Sequence, residues 1–158
     1  MMQSSHFTTD WLEKRSRLTP DRVALIDVAT GAETTFAAWN ERANRTANYL
    51  QSLGVSKGDR VAVYASNCSE YADLFWAAPK IGAVLQNLNW RLTVHELRGI
   101  VQDGEPSVLV YSEDWRRQVE ELKPSLTTVD HVVAMTDAGP GERSLTERDG
   151  MSAAAPAC

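Results

Sequence analysis

Apolar positions along the chain change their spacing near residue 60, and that change divides it into two styles of structure. Trp39, Ala43, Ala47, Leu50 and Leu53 recur three and four residues apart, which is the spacing of one helix face. Glu41, Arg42, Asn44, Arg45 and Asn48 fill the other side, and Gly54 follows where a left-handed residue ends a helix well. Before this helix, residues 8–18 read as a shorter one closed by Pro20, and 23–27 as a short strand. Thr30-Gly31 reverses the chain so that 34–36 pairs back as a hairpin.

From residue 60 the pattern is different. Lys57-Gly58-Asp59 turns into 60–65, a nearly unbroken apolar run of the kind buried on both faces of a parallel sheet. Asn67, with Glu70 three positions on, is a candidate cap for a helix over 69–81, apolar along Tyr71, Leu74, Phe75 and Ala78. Pro79 lies near its end and removes a backbone donor. Gly82 leads into a strand at 83–87. Thr93-Val94-His95-Glu96 is a capping box opening a helix through Val101. A strand at 107–111, a helix capped by Ser112 and closed by Leu122 and Pro124, and a strand at 129–134 complete the series. Strand and helix alternate throughout, which predicts βαβ units. The expected fold class is α/β, an N-terminal β-hairpin and helix followed by a parallel, doubly wound sheet. Residues 1–135 are expected to form this domain, and 136–158 a flexible polar loop and small-residue tail.

Composition narrows the function. A net charge of −5 with no basic stripe argues against nucleic acid as a partner, and Lys14, Arg15 and Arg17 read as a solvated helix face. Two cysteines, Cys68 and Cys158, form neither a disulfide framework nor a metal motif, as expected in a reducing cytoplasm. Residues 1–6 lack the regions of a signal peptide, and no apolar run reaches the length of a spanning helix.

Self-evident catalytic chemistry is absent. Asp137-Ala138-Gly139-Pro140-Gly141-Glu142-Arg143-Ser144 has the glycines of a phosphate cradle, but Pro140 removes a donor and two carboxylates repel anions, so it reads as a surface loop. His6, His95 and His131 fall in separate elements without ligand spacing. Cys68 lies at a helix start, where thiol pKa values can fall, but no base accompanies it and a small buried side chain is the expectation. Trp39 belongs to a core face; Trp11 and Trp90 could meet a partner or an apolar ligand.

Taken in order, five stretches resemble a known family. Residues 35–45 are similar to the first long helix of the AMP-forming acyl-CoA synthetases, within the adenylate-forming superfamily. Leu53-Gly54-Val55-Ser56-Lys57-Gly58-Asp59-Arg60-Val61-Ala62 resembles the turn and strand that follow there. Asn67-Cys68-Ser69-Glu70-Tyr71, Lys80-Ile81-Gly82-Ala83-Val84 and Leu88-Asn89-Trp90-Arg91-Leu92-Thr93, with Glu96-Leu97, come next. Residues 152–157 are similar to the linker upstream of the family's nucleotide loop. Within these motifs Gly54, Gly58, Asp59, Arg60, Asn67, Gly82, Thr93 and Glu96 are expected to serve structure. Asn89 and Arg91, polar residues at a strand exit, are the candidates for proximity to substrate.

The resemblance implies, for full-length relatives, ATP-dependent activation of a carboxylic acid to an acyl-adenylate and transfer to coenzyme A, with Mg²⁺ and a lysine neutralising phosphate charge. The nucleotide loop and the catalytic lysine cannot be placed on these residues. The chain is therefore expected to be an N-terminal fragment that binds no cofactor and is inactive alone. A free-standing acyl-binding or partner-binding module, or a fragment of a peptide-synthetase adenylation domain, stays open.

Overall fold

A computed structural model describes residues 10–157; His6 with the rest of the first nine residues, and Cys158, lie outside them. Helix α1 (Trp11–Leu18) starts where Asp10 accepts the Glu13 N–H at 2.9 Å. Strands β1 (Val23–Ile26) and β2 (Glu33–Thr35) form the antiparallel hairpin. Thr35 then caps α2 (Phe36–Ser52), which Gly54 terminates at φ +90°, a backbone angle that disfavours any side chain.

Five parallel strands make the main sheet: β3 (Arg60–Tyr64), β4 (Val84–Leu88), β5 (Val108–Tyr111), β6 (His131–Ala134) and β7 (Arg143–Ser144). Their order is β4-β3-β5-β6-β7. The connection from β4 to β5 passes over β3, so α3 (Ser69–Lys80) and α4 (Val94–Gly104) cover opposite faces. Side-chain alternation separates the two cores. Val61, Val63, Val108 and Val110 meet Ala47, Leu50, Leu74 and Ala78 of α2 and α3. Ala62, Tyr64, Leu109 and Tyr111 meet Leu97 and Val101 of α4 and Val119 and Leu122 of α5 (Arg116–Leu122).

Several local expectations need correction. Asn67 does not cap α3: the N-cap is Cys68, in extended conformation, and no side chain bonds the first turn. Asn67 stands one residue too early and is exposed. Phe75 lies on the outer side of α3, 52% exposed, while Asp73 is fully buried on the inner side. Asn44, assigned to the polar side of α2, is buried as well. Ser112 precedes a 3₁₀ turn over Glu113–Trp115, not a regular helix start. Glu113 instead reaches across to accept the backbone N–H of Asp137 at 2.8 Å and that of Thr136.

Residues beyond Ala134 depart most from expectation. Met135 and Leu145 are buried in the α2–α3 core, β7 pairs with β6, and a 3₁₀ helix (Leu145–Gly150) packs on α2. The glycines and polar residues there conceal two isolated buried apolar anchors, Met135 and Leu145, too few to register as a period.

Candidate functional site

Parallel sheets of this kind bind ligands along the carboxyl ends of their strands, at the point where strand order reverses. Here that crest runs through Leu88, Tyr64, Tyr111 and Ala134, which are level in register. Just beyond β4 the chain turns at Asn89, whose Oδ1 accepts the Arg91 N–H at 3.0 Å while its carbonyl accepts that of Leu92. The turn aims Trp90 across the crest, where it stacks on Trp115 with centroids 5.4 Å apart. Trp115 in turn meets Tyr64 at 5.8 Å, and the Arg91 guanidinium lies over the outer face of Trp90 at 4.1 Å. The result is an aromatic layer with an exposed cation at its rim. The Tyr64 hydroxyl and the Trp115 Nε1 are buried beneath it without a hydrogen-bond partner among the described residues. Burial raises the Tyr64 pKa, so the hydroxyl stays protonated and remains a donor.

Asn89 and Arg91, the two sequence candidates, both lie in this turn beside the crest. Of the other motif residues, Asn67 caps nothing, and the rest lie in turns, a strand start and a helix cap. Asp59 accepts the Ser56 N–H at 2.7 Å in the turn that Gly58 permits at φ +93°. Arg60 opens β3, and its carbonyl accepts the Ser107 N–H at 2.9 Å. Gly82 holds φ +70° with the Lys57 side chain packed against it. Thr93 and Glu96 exchange both bonds of the capping box. His95 is exposed on α4, and His131 begins β6.

A hollow of about 350 Å³ opens on the other face, between α2 and α3, lined by Trp39, Asn67, Cys68, Tyr71, Phe75 and Trp76. Trp39 and Trp76 pack edge to face at its base, 6.1 Å apart. Cys68, expected to be buried, is exposed at the rim. Its Sγ turns toward Met135 Sδ at 3.7 Å, and desolvation raises the thiol pKa, the direction opposite to activation.

The glycine loop after β6 is occupied by its own carboxylate. Glu142 Oε2 accepts the Gly139 N–H at 2.9 Å and the Tyr111 hydroxyl at 2.6 Å, and it pairs with Arg116 at 2.9 Å. Lys123 reaches the other oxygen at 3.0 Å. Burial alone would raise this carboxyl, but the Tyr111, Gly139 and Lys123 donors outweigh it and bring the pKa to about 2. The donor that a phosphate would need is thus already engaged. Among the described residues no group of three His, Cys, Asp or Glu could hold a metal ion. The residues of this loop do not fit a triphosphate, whose place at the Gly139 N–H and the Arg116 and Lys123 cations is taken by Glu142.

A five-stranded parallel sheet covered by helices on both faces, beside a small antiparallel hairpin, defines an α/β domain. Residues 12–156 match the family model described as AMP-binding enzyme. The 3-oxocholest-4-en-26-oate–CoA ligase of Rhodococcus rhodochrous is 36% identical over 128 residues, 81% of this chain and 23% of that protein. The long-chain-fatty-acid–CoA ligase of Thermus thermophilus is 33% identical over 142 residues, 89% of this chain and 26% of that one. The structure of a Mycobacterium tuberculosis fatty acyl CoA synthetase superposes with a TM-score of 0.85 at 31% identity, covering 94% of this chain and 29% of that chain. The chain belongs to the AMP-binding enzyme family, of which it covers the N-terminal part. It spans about a quarter of the length of the curated relatives it matches.

Proposed function

We propose that this chain is the N-terminal portion of an ATP-dependent acyl-CoA synthetase, which joins a fatty or related carboxylic acid to coenzyme A and releases AMP and pyrophosphate. The observation that carries this proposal is the family match over residues 12–156 together with relatives named as ligases of carboxylic acids to coenzyme A. Asn89 and Arg91 are assigned to the substrate side, because the Arg91 cation sits beside an aromatic wall at the carboxyl crest. ATP, Mg²⁺ and coenzyme A belong in this proposal to the whole enzyme, not to these 158 residues. No helix among the described residues is long and apolar enough to cross a membrane, and a cytoplasmic setting forms part of the proposal.

ATP–pyrophosphate exchange tests it in two arms. The isolated chain, offered a panel of fatty and aromatic acids, is expected to show no acid-dependent exchange. A chimera carrying residues 12–156 in place of the matching segment of the Thermus thermophilus ligase is expected to exchange, and Arg91→Ala within it to lose roughly tenfold. A folded chimera without exchange, or robust exchange by the isolated chain, would overturn the proposal.

A further inference from the structure

The hollow between α2 and α3 takes no part in the proposed reaction, for it lies on the opposite face of the sheet from the Trp90–Trp115 layer. Its walls are aromatic. Phe75 and Trp76 meet edge to face with centroids 5.3 Å apart at 87°, and Trp39 meets Trp76 at 90°. Rings set at right angles leave edges and faces on which a further ring packs in the same geometry. Phe75 is 52% exposed, an unusual position for so large an apolar side chain. Ala72, four residues before Trp76 on α3, contributes only a methyl group to the lining, and this keeps the space open. An apolar cavity of roughly 150 Å³ holds benzene. At about 350 Å³ this one has room for a fused pair of rings.

Charge and polarity restrict the ligand further. No charged residue lines the hollow. At its rim desolvation raises the Cys68 thiol pKa and the Glu70 carboxylate adds to the rise, so the potential there disfavours anions. A carboxylate entering the hollow loses hydration without meeting a cation. Trp39 brings one polar atom to the walls. Its Nε1 is buried with no acceptor among the described residues, and an indole N–H can only donate. An acceptor on the ligand supplies what that donor lacks.

We infer that the α2–α3 hollow is a binding site for a small neutral bicyclic aromatic molecule bearing one hydrogen-bond acceptor. Such a ligand packs between Trp39 of α2 and Phe75 of α3 and ties the two helices together. The site is distinct from that of the acid substrate, whose negative charge the hollow does not accept.

Protection of Cys68 at the rim tests this on the full chain, with Cys158→Ser leaving a single thiol. Methyl methanethiosulfonate, small and neutral, modifies that thiol, and the rate is read by mass. Quinoline, neutral and acceptor-bearing, is expected to slow the reaction saturably with a Kd of roughly 0.1–1 mM. Indole, similar in size but without the acceptor, is expected to bind about threefold more weakly, and quinoline-4-carboxylate about tenfold more weakly. Ala72→Leu fills the hollow and is expected to abolish protection, with a cooperative melt retained. Absence of protection by quinoline overturns the inference. So does indole or the carboxylate binding as tightly as quinoline, or protection that survives Ala72→Leu. Should that variant fail to fold by circular dichroism, Phe75→Ala, which removes an exposed wall, decides by the same comparison.

Discussion

Glu142 lies in a stretch whose composition reads as surface loop, yet its side chain is only 4% exposed and gathers donors from three other parts of the chain. Those donors prefer the ionised carboxylate, which is why its pKa falls to about 2 from 4.5. A carboxyl with a depressed folded-state pKa stabilises the fold fully above its ordinary value and loses that contribution as pH falls through the folded value. The window here is therefore about pH 4.5 down to about 2. Urea midpoints across pH 2–6 are expected to drop over that interval, and Glu142→Gln to flatten the dependence while lowering stability at neutral pH by about 2 kcal/mol. An unchanged pH profile in the variant would assign the acid sensitivity to other carboxyls.

Two helix starts show how far an element can be read from its own residues. The α4 box of Thr93 and Glu96 was legible because both partners are local, three residues apart, and both bonds form. The α3 start departs from its local pattern. Asn67 and Glu70 offer the same spacing, but the chain enters the helix through Cys68, so the pair is out of register. Differential scanning calorimetry should separate the two. Thr93→Ala is expected to cost about 1 kcal/mol, and Asn67→Ala less than about 0.5 kcal/mol. Comparable losses at both sites would mean that Asn67 supports the fold in another way.

At the scale of the whole molecule, Asp73 joins three separate elements. Fully buried on α3, it meets Arg42 of α2 at 2.8 Å and Arg148 of the late 3₁₀ helix at 2.9 Å. Burial pushes its carboxyl pKa up, against the pull of the two guanidiniums, so the cluster is stable only while complete. Asp73→Ala leaves Arg148, 9% exposed, without its carboxylate and is expected to cost roughly 3 kcal/mol in urea denaturation. Adding Arg148→Ala to Asp73→Ala is expected to cost less than the sum of the two single changes, since the second removes the charge that the first stranded. Strict additivity would mean that the ion pair does not couple the elements.

Residue order along the chain, by itself, determined the α/β class, the hairpin, the buried strands and most helix limits. Hydrophobic period and turn chemistry act between near neighbours, so they leave a local trace. It also determined the family resemblance, through ordered motifs between Thr35 and Leu97, and placed Asn89 and Arg91 at a strand exit. Only the tertiary structure decided that Trp90, Trp115 and Tyr64 form one aromatic layer, since nothing local distinguishes stacking tryptophans from packed ones. It alone decided that Glu142 closes its own loop through a tyrosine 31 residues away. And it alone turned the polar face of α2 into a surface holding a segment 104 to 109 residues further on. Polar groups carry no period that reveals a distant partner, and that partner becomes known only when the chain has folded.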